Sequence, residues 1–166
     1  ISESLSMSVS NPTNATISTT ASNATAVIDD EDDNNPDTPD DKKDGDKPVV
    51  SIVASDALAV EDTLNSTVAF KVSQSNLSNF DTTVLVKLDL GTVEVEDLVN
   101  TTVSYKDVNG VDVTTTVADL LSGITITIPA GTTYAPEFVF TIKDDNIYEI
   151  SESLSMSVSN PTNATI

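Results

Sequence analysis

The chain has 166 residues, 27 of them acidic and seven lysine, with no arginine, for a formal net charge of -20. Such a surface repels nucleic acid and anionic membrane and attracts divalent cations. Histidine and cysteine are absent, which removes the commonest general base, the thiol nucleophile and the usual zinc ligands, so an enzyme is not expected.

The length holds one full domain and a fragment of another. Ile1–Ile17 and Ile150–Ile166 are identical letter for letter, an offset of 149 residues. A self-match of that quality marks slightly more than one unit of a tandem array. No apolar run approaches the roughly 18 residues of a membrane helix, and any secretion signal is expected elsewhere in a longer parent chain.

Residues 1–33 read as the end of a preceding unit. Leu5, Met7 and Val9 alternate with serines, a period-2 pattern with one face expected to be buried. Asn11-Pro12 breaks that strand, and a second one, Ala24–Ile28, runs into Asp29-Asp30-Glu31-Asp32-Asp33. This acidic run reads equally as the start of a solvated linker or as part of a metal site. Residues 34–47, NNPDTPDDKKDGDK, lack any apolar residue and carry two prolines; they read as a linker that self-repels and extends. An EF-hand loop is excluded there, because lysines fall at ligand positions and no glutamate closes the loop.

From Pro48 to Ile166 the pattern is all-β. Val50 and Ile52 open a strand, Val68, Phe70 and Val72 share one face of the next, and Val84, Val86, Leu88 and Leu90 alternate with Lys87 and Asp89 in a third. Asn109-Gly110 between Thr101–Lys106 and Val111–Thr116 predicts a hairpin. Ala118–Ser122 reads as one helical turn, Ile124, Ile126 and Ile128 as a strand, and Phe138, Phe140, Leu154 and Met156 as core residues on neighbouring strands. Seven or so short antiparallel strands predict a β-sandwich of immunoglobulin-like type.

Four stretches in order carry a resemblance to a known family: a strand reaching Val60-Glu61, ITIPAG at 126–131, FVFTIKDDNIYEISESLSMSVSNPTNA at 138–164, and ATAVIDDED at 24–32. Together they resemble the Calx-β domain, in particular its repeats in giant bacterial RTX-type adhesins. Residues 91–122 depart from the pattern: the family's Gly-Thr-Ala…Asp-Tyr segment is only echoed by Gly91-Thr92…Asp97-Leu98, and a hairpin is inserted.

The resemblance implies calcium at one tip of the sandwich, held by Glu61, Asp144, Asp145, Glu149 and Glu152 in the complete unit. It implies a matching set of Glu3, Asp29, Asp30 and Asp32 in the preceding one. The residue chemistry agrees, since Ca²⁺ takes six to eight oxygen ligands and carboxylates from adjacent loops supply them.

The expected function is a structural extender of an extracellular adhesin on a bacterial surface, with neighbouring repeats and calcium ions as partners and no membrane insertion. Two rivals are a carbohydrate- or receptor-binding module, weakened by the lack of tryptophan, and a fibre subunit joined by donor-strand exchange. The last follows from the array, because the unit beginning at Pro48 stops before its own copy of the Ala24–Ile28 strand. Either that strand comes from a neighbouring molecule or the sequence is an arbitrary cut from a continuous array.

Overall fold

The computed structural model describes residues 3–28 and 47–166. The chain divides into two compact units, Ile1–Asp46 and Lys47–Ile166. The expected linker, 34–47, lies almost wholly outside the described residues, as do Asp29, Asp30 and Asp32.

In the first unit, β1 (Glu3–Ser8) pairs antiparallel with β2 (Asn23–Ile28), Glu3 facing Ile28 and Ser8 facing Asn23. The alternation that predicts a strand at β1 holds, but the buried face does not. Leu5, Met7 and Val9 are 61%, 73% and 63% exposed. A two-stranded ribbon has no second layer, so neither of its faces can leave water.

The second unit is built from two three-stranded antiparallel sheets. One runs in the order β3 (Val50–Asp56), β4 (Thr67–Gln74), β9 (Glu137–Thr141), and the other β10 (Ser155–Thr162), β5 (Thr82–Asp89), β8 (Ile124–Ile128). Their inner faces supply the core. Period-2 spacing puts Val84, Val86 and Leu88 of β5 inside, while β8 contributes Ile126 and Ile128 and β4 contributes Phe70 and Val72. Phe138 and Phe140 of β9 are buried as expected, with Phe140 meeting Phe70 edge to face at 6.2 Å. Met156 is buried and Leu154 is partly so, packed against the same core. These four are not on neighbouring strands, however. β9 and β10 belong to different sheets, because the 13 residues between them carry the chain from one layer to the other.

The inserted hairpin forms as β6 (Thr102–Lys106) and β7 (Asp112–Thr116). Its turn is organised by Asp107, whose Oδ1 accepts from the backbone N–H of Asn109 and of Val111 at 2.9 and 2.8 Å. Tyr105 lays its ring on Phe138 at 4.8 Å, which docks the hairpin on the sandwich. The helical turn is α1 (Val117–Ser122), capped by Thr116 and Asp119 in a reciprocal box.

The chain after β10 crosses to the first sheet. Val50 donates its N–H to the Thr165 carbonyl at 2.7 Å and Thr165 donates to the Pro48 carbonyl at 2.8 Å, a parallel contact between the start and the end of the unit. The turn leading there is locally encoded. Asn160 and Asn163 adopt φ of 51° and 55°, and their counterparts Asn11 and Asn14 in the first unit adopt 50° and 56°. Asparagine is one of the few non-glycine residues that tolerate this left-handed conformation.

Candidate metal centre

Three segments converge at one end of the sandwich. The first follows β5: Gly91 turns the chain at φ 58°, and a one-turn 3-10 helix, η1 (Val95–Asp97), presents Asp97. The second follows β9, where Ile142 bridges Leu98 and Lys143 donates its N–H to the Asp97 carbonyl at 2.7 Å. The third is 149–154, leading into β10. It is tied to the first by a reciprocal pair: Thr92 N–H to the Ser153 carbonyl at 3.2 Å, and Ser153 N–H to Thr92 Oγ1 at 3.0 Å.

This stitching brings carboxylates together. Asp97, Glu149 and Glu152 each offer an oxygen, and the three oxygens lie within 4.8 Å of one another. Glu61 lines the same cleft, about 620 Å³ in volume, whose apolar wall includes Val68, Phe70, Ile142 and Leu154. The cluster is electrostatically strained. Partial desolvation, then Asp97 and Glu61, push the Glu149 carboxyl above its ordinary value. Desolvation, then the charge of Asp97 and a hydrogen bond to it, raise Glu152 in the same direction. Like charges held this close disfavour full ionisation unless a cation joins them.

The expected ligands divide under this geometry. Glu149 and Glu152 join the cluster and Glu61 borders it. Asp145 takes a different part: its Oδ1 accepts from Ile147 N–H at 2.7 Å and its Oδ2 pairs with Lys143 at 3.1 Å, so it shapes the turn. That backbone hydrogen bond and Lys143 hold its carboxyl below the ordinary value. Asp144 is exposed and outside the three-oxygen cluster. Glu3 sits on β1 opposite Ile28, exposed, and the co-ligands expected beside it are outside the described residues. Asp97 is the addition. Its signal in the sequence was the Gly91-Thr92…Asp97 echo, obscured because the hairpin insertion begins directly after it.

The donor set is all oxygen, from several short segments, with no nitrogen or sulfur. That chemistry suits a hard cation such as Ca²⁺ better than a transition metal. Among the described residues no helix is long and apolar enough to cross a membrane. No family model, curated protein or solved structure matches the chain.

Proposed function

We propose that this chain is a segment of a tandem array of β-sandwich modules that serves as a structural extender of a large extracellular bacterial adhesin, stiffened by calcium. The observation that carries the reading is the identity of Ile1–Ile17 with Ile150–Ile166. A long stretch copied without a change, in a chain without histidine or cysteine, suits repetition of structure better than a unique catalytic site. The sandwich would supply a compact rod segment, and the sequence resemblance to Calx-β repeats is what supports a cell-surface setting for the modules.

Asp97, Glu149 and Glu152 would hold the ion, with Glu61 beside them. Calcium bound there neutralises the mutual repulsion of these carboxylates. The protein's own part is to clamp the Gly91–Asp97 and 149–154 segments together through Gly91, Thr92 and Ser153 so that the oxygens face one point.

The test is thermal melting and small-angle scattering with Ca²⁺ and with chelator. Ligand linkage raises stability as RT ln(1 + [L]/Kd), about 2.7 kcal/mol at a hundredfold excess over Kd. The expected outcome is a higher Tm in calcium, a response that is lost in Asp97→Asn, and a longer particle. Identical curves in calcium and chelator would remove the metal from this reading.

A further inference from the structure

Two inward-facing positions of the sandwich break its apolar pattern, and both lie at the end remote from Asp97. In β4, Val68, Phe70 and Val72 face the core, and the next inward position is Gln74. In β5 the inward series is Thr82, Val84, Val86 and Leu88. The two strands belong to different sheets and are joined by residues 75–81. Gln74 and Thr82 therefore enter the interior from opposite layers at the same end.

Thr82 is 0% exposed, and among the described residues no other polar one is buried to that degree. Its Oγ1 and Gln74 Oε1 are both buried, and neither has a hydrogen-bond partner among those residues. Buried polar groups are nearly always paired, because an orphan keeps the full cost of leaving water.

The surrounding bonds show where the two oxygens sit and why the chain itself does not serve them. Gln74 Nε2 donates to the Thr132 carbonyl at 3.4 Å. A carbonyl only accepts, so the amide nitrogen faces Thr132 and Oε1 faces away from it. Thr132 closes the turn after Ile128, its N–H going to the Pro129 carbonyl at 3.3 Å, and Ile128 is the register partner of Thr82. The glutamine amide has thus crossed from its own sheet to the chain that runs beside Thr82. The other donors of this turn are taken. Thr132 Oγ1 donates to the Pro129 carbonyl at 2.8 Å, Ala130 N–H to Asp81 Oδ1 at 2.9 Å and Gly131 N–H to the Ser78 carbonyl at 2.7 Å. Val50 beside Gln74, Ile128 beside Thr82, and Pro136 are all fully buried. Every residue of the site lies between Val50 and Pro136, inside the second unit.

We propose that Gln74 and Thr82 hold one buried water between them, a polar tie between the two sheets. The chemistry of the occupant follows from the two oxygens. Gln74 Oε1 only accepts, whereas the Thr82 hydroxyl donates or accepts, so the occupant donates to the first and takes either part with the second. It is small, since its neighbours are close-packed apolar side chains. It is also uncharged. Ca²⁺ takes six to eight oxygens, and two neutral ones do not offset the desolvation of an ion. Water meets all three conditions, with the second lone pair of the Thr132 carbonyl as a further partner. The chain contains no cysteine, so no disulfide joins its layers. A hydrogen-bonded bridge joins them here, and it fixes the 75–81 loop against the 129–132 turn.

The direct test is a crystal structure of the whole chain at a resolution that shows ordered solvent. One water within hydrogen-bond distance of both Gln74 Oε1 and Thr82 Oγ1 is the expected result. A direct bond between the two side chains, or no density between them, overturns the proposal.

Thermal melting supplies an independent readout. Thr82→Val keeps the shape and removes the hydroxyl, which leaves the water and the glutamine oxygen short of a partner. Its Tm is expected to fall by about 4 °C or more, and Gln74→Met is expected to fall likewise. The double variant Thr82→Val/Gln74→Met removes both polar ends of the bridge, and its loss is smaller than the sum of the two single losses. A Thr82→Val chain as stable as the unsubstituted one overturns the bridge, as do single losses that simply add.

Discussion

Individual residues in the second unit divide between those that hold the core and those that strain the tip. Phe140 is 3% exposed and packs on Phe70. Phe140→Ala is expected to cost roughly 3–5 kcal/mol, read as a lower urea midpoint with little change in slope. The tip gives a pH signature. Glu149 and Glu152 have raised pKa values in the fold, so the native state holds protons that the unfolded state has released. Their contribution is full below the ordinary glutamate value and is lost as pH rises through the raised one. Without calcium, stability therefore falls from that acidic range toward neutrality, and calcium flattens the decline. Asp145, with its pKa lowered, acts oppositely, and its contribution disappears only at still lower pH. At the alkaline end Tyr134 is pushed up to about 12, chiefly by burial, with its hydroxyl donated to the Lys106 carbonyl. The same sign applies: stability falls as pH climbs past the ordinary tyrosine value. Melting curves across pH, with chelator and with calcium, check both ends. A flat acid limb in chelator would mean that the three carboxylates do not strain one another.

At the scale of elements, period-2 alternation was enough to find most strands and to choose their inward faces, as at Val84, Val86 and Leu88. It could not say which layer a strand joins, because alternation reports one covered face and not what covers it. Hence Phe140 and Met156 were both legible as core, yet not as members of different sheets. The limit is plainest in the repeated segment. Leu5 and Leu154 have identical sequence surroundings for several residues on either side, and one is exposed while the other packs on the core. Burial there belongs to tertiary context and not to local sequence. The candidate site was half legible: the glutamates 149 and 152 stand in an acid-rich run, but Asp97 reaches them only through the turn at Gly91. A Cβ at Gly91 would meet the Ser153 carbonyl oxygen at 2.4 Å, and its φ of +58° is disfavoured for a side chain. Gly91→Ala is expected to destabilise the unit by more than about 1 kcal/mol. It should also weaken the calcium response by moving 149–154 away from Asp97. Urea unfolding with and without calcium separates the two effects, and an unchanged midpoint would show that the clamp is slack.

For the molecule as a whole, charge and repetition pull in different directions. A net charge of -20 makes copies of this chain repel one another, while the identity of Ile1–Ile17 with Ile150–Ile166 marks units that recur along one chain. The parallel contact between Pro48–Val50 and Thr165 has a different consequence, a mechanical one. Tension applied to the two ends of the Lys47–Ile166 unit draws Pro48–Val50 one way and Thr165 the other along parallel axes. Hydrogen bonds lying across the direction of pull must then slide and break together, whereas a hairpin peeled from its tip gives way one bond at a time. A module threaded in this way resists stretching by shear, and that resistance is set by the order in which the chain enters and leaves the fold.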